Sequence, residues 1–402
     1  MRNRVKRRLG MRPMVLVAAV VWMAALTALP ARAAESVRPE PLKDLGRPNQ
    51  VRLTYFVPED RQPTTHWREK IAVLMTFVAD LYRRDLAQHG SRTRGLDFEF
   101  DSGGLAVHLL RGKHPAAHYN GDPTFDGMKQ WGTILAEVEA ALGPCSTNLH
   151  VIFAETYDDG PTKFEWRGGV ALGCYYTASG GAGLFSAWVL RDEFCAATVD
   201  EQLRLFADET PIQGRVALGC GRPDSPRFEF IEDGFGAVAH EMGHAFGLPH
   251  DHRKDAQYVM GNGFRSLRRN YPGMGPADER VGFSADNARV LARSRFLAER
   301  ADLTDAAPPG LALDAPVTLK AGATEVPVRG RATDDRALGA VLYWWQPMDS
   351  TVGGADLAGT RAELKATLPV RPLKKGKGDL VVTVVDRGGN IRTDKVTYEI
   401  EE

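Results

Sequence analysis

His240, Glu241, His244, Gly247 and His250 fit H-E-x-x-H-x-x-G-x-x-H at all five specified positions, and the chemistry such a set can do is that of a zinc ion with one open coordination position. Histidines four apart on a helix lie on one face, one turn above the other, so the imidazoles of His240 and His244 can converge on one ion. Gly247 lets the chain leave the helix through a left-handed turn that a Cβ would resist, and the turn brings His250 back as the third ligand. Three nitrogens leave a fourth tetrahedral position for water, which distinguishes a catalytic site from a closed structural one. Glu241, adjacent to the first ligand, is the candidate general base. One catalytic Zn2+ is therefore the expected cofactor.

Beyond His250 the chain reads Tyr258-Val259-Met260-Gly261-Asn262-Gly263. The long histidine motif followed by a methionine-containing turn resembles the metzincin clan of zinc endopeptidases. The resemblance implies that Met260 forms an apolar floor beneath the three imidazoles and coordinates nothing. It also implies a twisted mixed sheet with an active-site helix, and a small lower subdomain ending in a helix. Asp251 after the third histidine is similar to the adamalysin-like branch, while Asn262 stands where other branches carry a tyrosine ligand, so a fifth ligand is not expected. The two motifs span about twenty residues, and they assign no subfamily.

The elements that must position these residues read as mixed α/β. Val51 to Val57 has the character of a strand, and Trp67 to Gln88 carries Ile71, Leu74, Met75, Val78 and Leu81 at helical spacing. Strands are expected near Leu96 to Phe100 and Leu105 to Leu110, then a helix from Phe125 to Leu142 and an apolar strand from Leu149 to Ala154. Phe235 to Phe246 is the expected active-site helix, and Ser284 is placed to cap another running through Phe296. Ser179 to Gly183 lacks the Lys-Ser/Thr of a phosphate loop and reads as a flexible turn. After the linker at 305–310 the period changes to two, with strands expected at 323–328, 340–344, 362–368 and 379–385, and turns at 374–378 and 386–390. That pattern predicts an all-β, immunoglobulin-like sandwich over residues 311–402 behind a catalytic domain over 51–304.

Arg2, Arg4, Lys6, Arg7, Arg8 and Arg12 precede an apolar run from Met14 to Leu29 and a small-x-small site at Ala31-Arg32-Ala33. This reads as a signal peptide over residues 1–33, followed by a short extension over 34–50, and predicts a secreted or periplasmic protein with no integral membrane segment after cleavage. The signal holds seven of the 51 basic residues and no acidic one, leaving 44 basic against 51 acidic. A mildly acidic mature chain argues against nucleic acid as a partner. Cys145, Cys174, Cys195 and Cys220 all lie in the exported portion, where an even count favours two disulfides of undetermined pairing.

Other polar features read as bland. His114 and His118 are split by Pro115, His252 reads as a surface residue, and Arg265, Arg268 and Arg269 read as a solvated basic loop. The expected function is a secreted zinc endopeptidase acting on a protein or peptide. Its alternatives are an adhesion protein on a little-used metzincin scaffold and a zinc hydrolase of cell-wall peptides. The C-terminal module is a candidate for cell-surface or glycan contact. It is expected to be dispensable for chemistry, because every ligand and base candidate lies between His240 and Met260.

Overall fold

The computed structural model describes residues 38–47, 50–93, 95–121, 126–159, 164–165, 171–176, 180–213 and 224–402. The expected signal peptide and Cys220 lie outside them. Val51–Val57 (β1) is buried along nearly its whole length because both of its faces are covered. It pairs in parallel with Val107–Arg111 (β2) on one side and with Leu149–Ala154 (β3) on the other. Gly180–Ser186 (β5) extends the parallel set, and Leu172–Tyr176 (β4) closes the sheet as an antiparallel edge, giving the order β2-β1-β3-β5-β4. Parallel neighbours need crossovers, supplied here by Trp67–Gln88 (α1) and Gly127–Leu142 (α2). Leu74, Phe77, Val78 and Tyr82 of α1 are fully buried, and Asp126 caps α2 by accepting from the N–H groups of Met128 and Lys129.

Several expectations shift on the page of the structure. Gly180 to Gly183 is an interior strand, and a side chain at Gly180 would collide with the Cys145 carbonyl. The strand expected at 96–100 shrinks to Phe100–Asp101, paired with Gly104–Leu105. The active-site helix, Arg227–Ala245 (α3), starts earlier than expected, since Phe230 and Ile231 already pack in the core. Ser284 does cap Ala285–Leu291 (α4) through the Asn287 N–H, but that helix stops short of Phe296.

The pair of disulfides is a further correction. Cys145 and Cys195 are thiols in the structure. Cys145 donates to Glu139 Oε1 at 2.7 Å, and Cys195 lies 3.4 Å from the Lys70 carbonyl. The two belong to different apolar cores, one packed with α2 and the other with α1, so they cannot meet each other. The Cys174 side chain lies outside the described residues with Cys220.

Beyond Asp305 the chain is all-β. One sheet contains Gly310–Leu313 (β6), Glu325–Thr333 (β8) and Arg361–Pro369 (β11) in the order β6-β8-β11. The other runs β7-β13-β12-β9-β10, from Leu319–Lys320 (β7), Ile391–Glu401 (β13), Gly376–Asp386 (β12) and Leu338–Trp345 (β9) to Ser350–Asp356 (β10). The turn expected at 374–378 is half strand, as β12 already begins at Gly376. Val326, Val328 and Leu364 of the first sheet close a core with Val341, Tyr343, Val382 and Val384 of the second.

The second sheet is covered on its other face too. Ala340, Leu342, Val385 and Ile391 share the core of the α/β part with Val290, Leu291 and Phe296. Polar contacts tie the same junction: Arg295 Nη2 donates to the Asp305 carbonyl at 3.0 Å and to Asn390 Oδ1 at 2.8 Å, and Arg293 pairs with Asp356 at 2.7 Å. Among the described residues no helix is long and apolar enough to cross a membrane.

Candidate metal centre

Helix α3 reaches its last turn with His240 buried and His244 half-buried on the same face. Tyr82 of α1 fixes this turn by donating its hydroxyl to the Ala239 carbonyl at 2.8 Å. Gly247 then takes φ +87°, and the N–H groups of Gly247 and Leu248 donate back to the carbonyls of His244 and Gly243. That paired bonding is the Schellman stop a glycine permits. It turns the chain so that His250 returns over the helix end. The three histidines hold ligand atoms within 4.8 Å of one another.

What decides the chemistry is the other nitrogen of each ring. His240 Nδ1 lies 2.6 Å from the Val259 carbonyl, His244 Nδ1 2.7 Å from the Leu248 carbonyl, and His250 Nδ1 2.8 Å from Asp349 Oδ2. All three partners are acceptors, so each Nδ1 must carry the proton and each Nε2 keeps its lone pair. Such outer partners fix the tautomer and ring orientation of metal-ligating histidines. Burial, reinforced by the neighbouring imidazoles, pulls His240 down to about 3 and His244 down to about 4, which keeps both rings neutral at ordinary pH. Three imidazole nitrogens turned to one point suit zinc, whereas a calcium or magnesium ion would want oxygen.

Glu241 sits between helix and edge strand. Burial pushes its carboxyl up to about 8, and the Gly173 backbone N–H of β4 acts in the opposite direction. A cation on the adjacent imidazoles would favour the carboxylate further. Gly173 has to be a glycine: a Cβ there would run into the Glu241 carbonyl oxygen and stand 2.8 Å from His244 Cβ. Edge strand β4 and the active-site helix therefore touch backbone to backbone.

Met260 is fully buried, and a Cβ on Gly243 would collide with its sulfur. It lies against the helix turn between His240 and His244. Its segment is pinned by Asp251 N–H to Met260 O at 2.8 Å and by Val259 N–H to Gly282 O at 2.7 Å. Asp251, also buried, accepts from the Arg253 guanidinium at 2.6 and 2.9 Å and from the Arg253 backbone N–H at 3.2 Å, which leaves it a structural anchor of the loop. Met260→Ala is expected to cost about 2–5 kcal/mol through lost packing and the cavity beneath the histidines, and the nearly volume-conserving Met260→Leu less than about 1.5 kcal/mol. Thermal midpoints of the two variants against the parent check this.

The remaining polar residues sort differently from expectation. Arg265 pairs with Asp233 at 3.3 Å and covers the Phe264 ring, Arg268 lies over Phe228 and donates its backbone N–H to Glu232, and Arg269 pairs with Glu279. They clamp the loop after Met260 onto α3 and Glu279, and do not form a solvated basic patch. The His114 and His118 rings contact each other, with centroids 4.1 Å apart and planes tilted by 33°, away from the three histidines. His252 bonds Asp255 at 2.6 Å.

Sequence reasoning missed Asp349 altogether. It lies in the C-terminal β region, between β9 and β10, in a left-handed conformation with φ 45° and ψ 45°. Its neighbours dock the same loop: Thr351 donates its N–H to the His250 carbonyl at 2.8 Å, and Ser350 Oγ accepts from the His252 N–H at 2.9 Å. A cleft of about 480 Å³ opens between the two parts, with His244, His250 and Leu248 on one wall and Asp349, Trp344 and Thr383 on the other.

Residues 131–304 match the family model Metallopep, "Putative peptidase family". The matched segment contains the three histidines, Glu241 and Met260. No curated protein matches the chain. Among solved structures, catalytically inactive OgpA from Akkermansia muciniphila, crystallised with an O-glycopeptide (glycodrosocin) substrate, matches with a TM-score of 0.58 at 14% identity, over 90% of this chain and 96% of that one. Wild-type OgpA from the same organism gives 0.55 at 13%, over 90% and 97%. The likeness is one of fold, and it runs through both parts of the chain.

Proposed function

We propose that this chain is an exported zinc endopeptidase with a metzincin-like catalytic domain over residues 51–304, to which the C-terminal β-sandwich is joined as a working part. The observation that carries the reading is the set of three imidazoles whose Nδ1 atoms are all committed to acceptors, leaving three Nε2 lone pairs for one ion. His240, His244 and His250 hold the zinc in this reading, and Met260 packs beneath them. When bound, the ion supplies Lewis-acid polarisation of the scissile carbonyl and an activated water.

The chain's own residues do the rest. Glu241 takes the proton that water gives up and hands it to the departing amine nitrogen, so one carboxylate serves both halves of the reaction. An extended peptide adds as a strand along the edge of β4 that no described strand pairs, the other edge being paired to β5. Strand addition fixes the peptide by its backbone, and the cleft walls between His250 and Trp344 meet its side chains. The fold shared with OgpA favours peptides bearing an O-linked sugar as one substrate class to try first.

A panel settles the substrate: unmodified peptides, the same peptides carrying an O-linked sugar, and purified cell wall, each incubated with the parent chain and with His244→Ala. Cleavage of a peptide bond in at least one arm by the parent, lost in His244→Ala, is the expected result. Equal cleavage by both would rule out the three-histidine centre as its source.

A further inference from the structure

The C-terminal sandwich is expected from its sequence to be an appendage, yet it reaches the metal centre with one side chain. We propose that Asp349 is a positioning residue of that centre: through His250 Nδ1 it sets the tautomer and the angle of the third ligand, so that the β-sandwich completes the active site. This rests on the reading that His240, His244 and His250 hold a cation.

The three histidines are held in unequal ways. His240 and His244 are fixed twice, by the helix that carries them and by carbonyls within 19 and four residues. His250 stands past the helix end on a loop, more exposed than His240, and its ring is held by a residue 99 positions further on. A carboxylate partner makes a ligating imidazole a better donor and restrains its rotation. A carbonyl partner would restrain the ring without the charge.

The surroundings favour this role over simple docking. Docking is already provided by Thr351, which engages the His250 backbone carbonyl with both its N–H and its Oγ1, and by the apolar contacts of Ala340 and Leu342. Asp349 makes its contact on the ring itself, 2.8 Å from His250 Nδ1. It adopts a left-handed backbone, which Asp tolerates better than most residues but which still carries a cost. His252 also faces its carboxylate, with Nε2 3.8 Å away while its Nδ1 is taken by Asp255, and His244 feels the same charge. The arrangement holds Asp349 Oδ2 on His250.

The test uses the full chain and reads zinc affinity by competition with a chromophoric chelator, alongside thermal midpoint without zinc. Asp349→Ala is expected to weaken zinc binding about 10–100-fold. Asp349→Asn, nearly isosteric and still an acceptor, should restore part of that loss and guards against a folding defect. Thr351→Val, which cuts a docking bond without touching the ring, should lower the midpoint and leave zinc affinity unchanged. Parent-like affinity in Asp349→Ala would overturn the proposal, as would a loss in Thr351→Val equal to that in Asp349→Ala. Failure of the unsubstituted chain to bind zinc would overturn the metal-centre reading, and this proposal with it.

Discussion

Glu241→Gln is expected to retain a full complement of zinc and to lose peptide turnover by about 10²–10⁴-fold, the usual contribution of a positioned acid–base group. Gln keeps the shape of the side chain and can accept the Gly173 N–H, so helix α3 and strand β4 should stay in register. What it cannot do is take and return a proton. Loss should therefore fall on kcat with KM little changed, because in the proposed reading the peptide is held by strand addition and the cleft walls. The measurement is kcat and KM on a fluorogenic peptide with zinc content determined on the same sample. A variant with normal zinc and normal turnover would remove Glu241 from the chemistry.

Truncation after Asp305 should abolish activity even on small peptides. The sequence alone argues the reverse, since all ligand and base candidates precede that point. In the structure the cut removes Asp349 from His250, Thr351 from the His250 carbonyl, and the whole Trp344–Thr383 wall of the cleft. It also uncovers Val290 and Leu291, which are almost fully buried in the core shared with Ala340, Leu342, Val385 and Ile391. Each large apolar side chain returned to water costs about 1.5–3 kcal/mol, against a total stability of about 5–15 kcal/mol for a typical protein. Soluble yield, thermal midpoint and small-peptide turnover of the truncated chain give the answer. A folded, active fragment would show that the sandwich only decorates the catalytic part.

The α/β part and the convergence of its three histidines were legible because their information is local. A four-residue spacing defines a helix face, Gly247 marks the exit, and the periodicities of Val51–Val57 and Trp67–Gln88 coincide with the elements observed. Asp349 was not legible, because nothing in a single chain announces that a residue 99 positions away will reach a ring nitrogen. One signal was available and was read too narrowly. Leu338 to Trp345 is apolar without alternation, and a strand with one wet face would alternate, so this run calls for cover on both sides. Glycine misled in the same way: Gly180 to Gly183 resembles a turn by composition, but these glycines serve close backbone approach inside a sheet. Cysteine count misled as well, since burial on opposite faces of a sheet keeps Cys145 and Cys195 apart.

The central claim, that His240, His244 and His250 hold one zinc ion on which peptide cleavage depends, is tested most directly by removing and returning the metal. The purified chain is stripped with a chelator, assayed on a cleavable peptide, titrated with Zn2+ and assayed again, with His244→Ala in parallel. Activity should vanish on stripping, return in proportion to zinc up to one equivalent, and never return in His244→Ala. Undiminished cleavage by the metal-free chain, or full zinc-dependent activity in His244→Ala, would contradict the account.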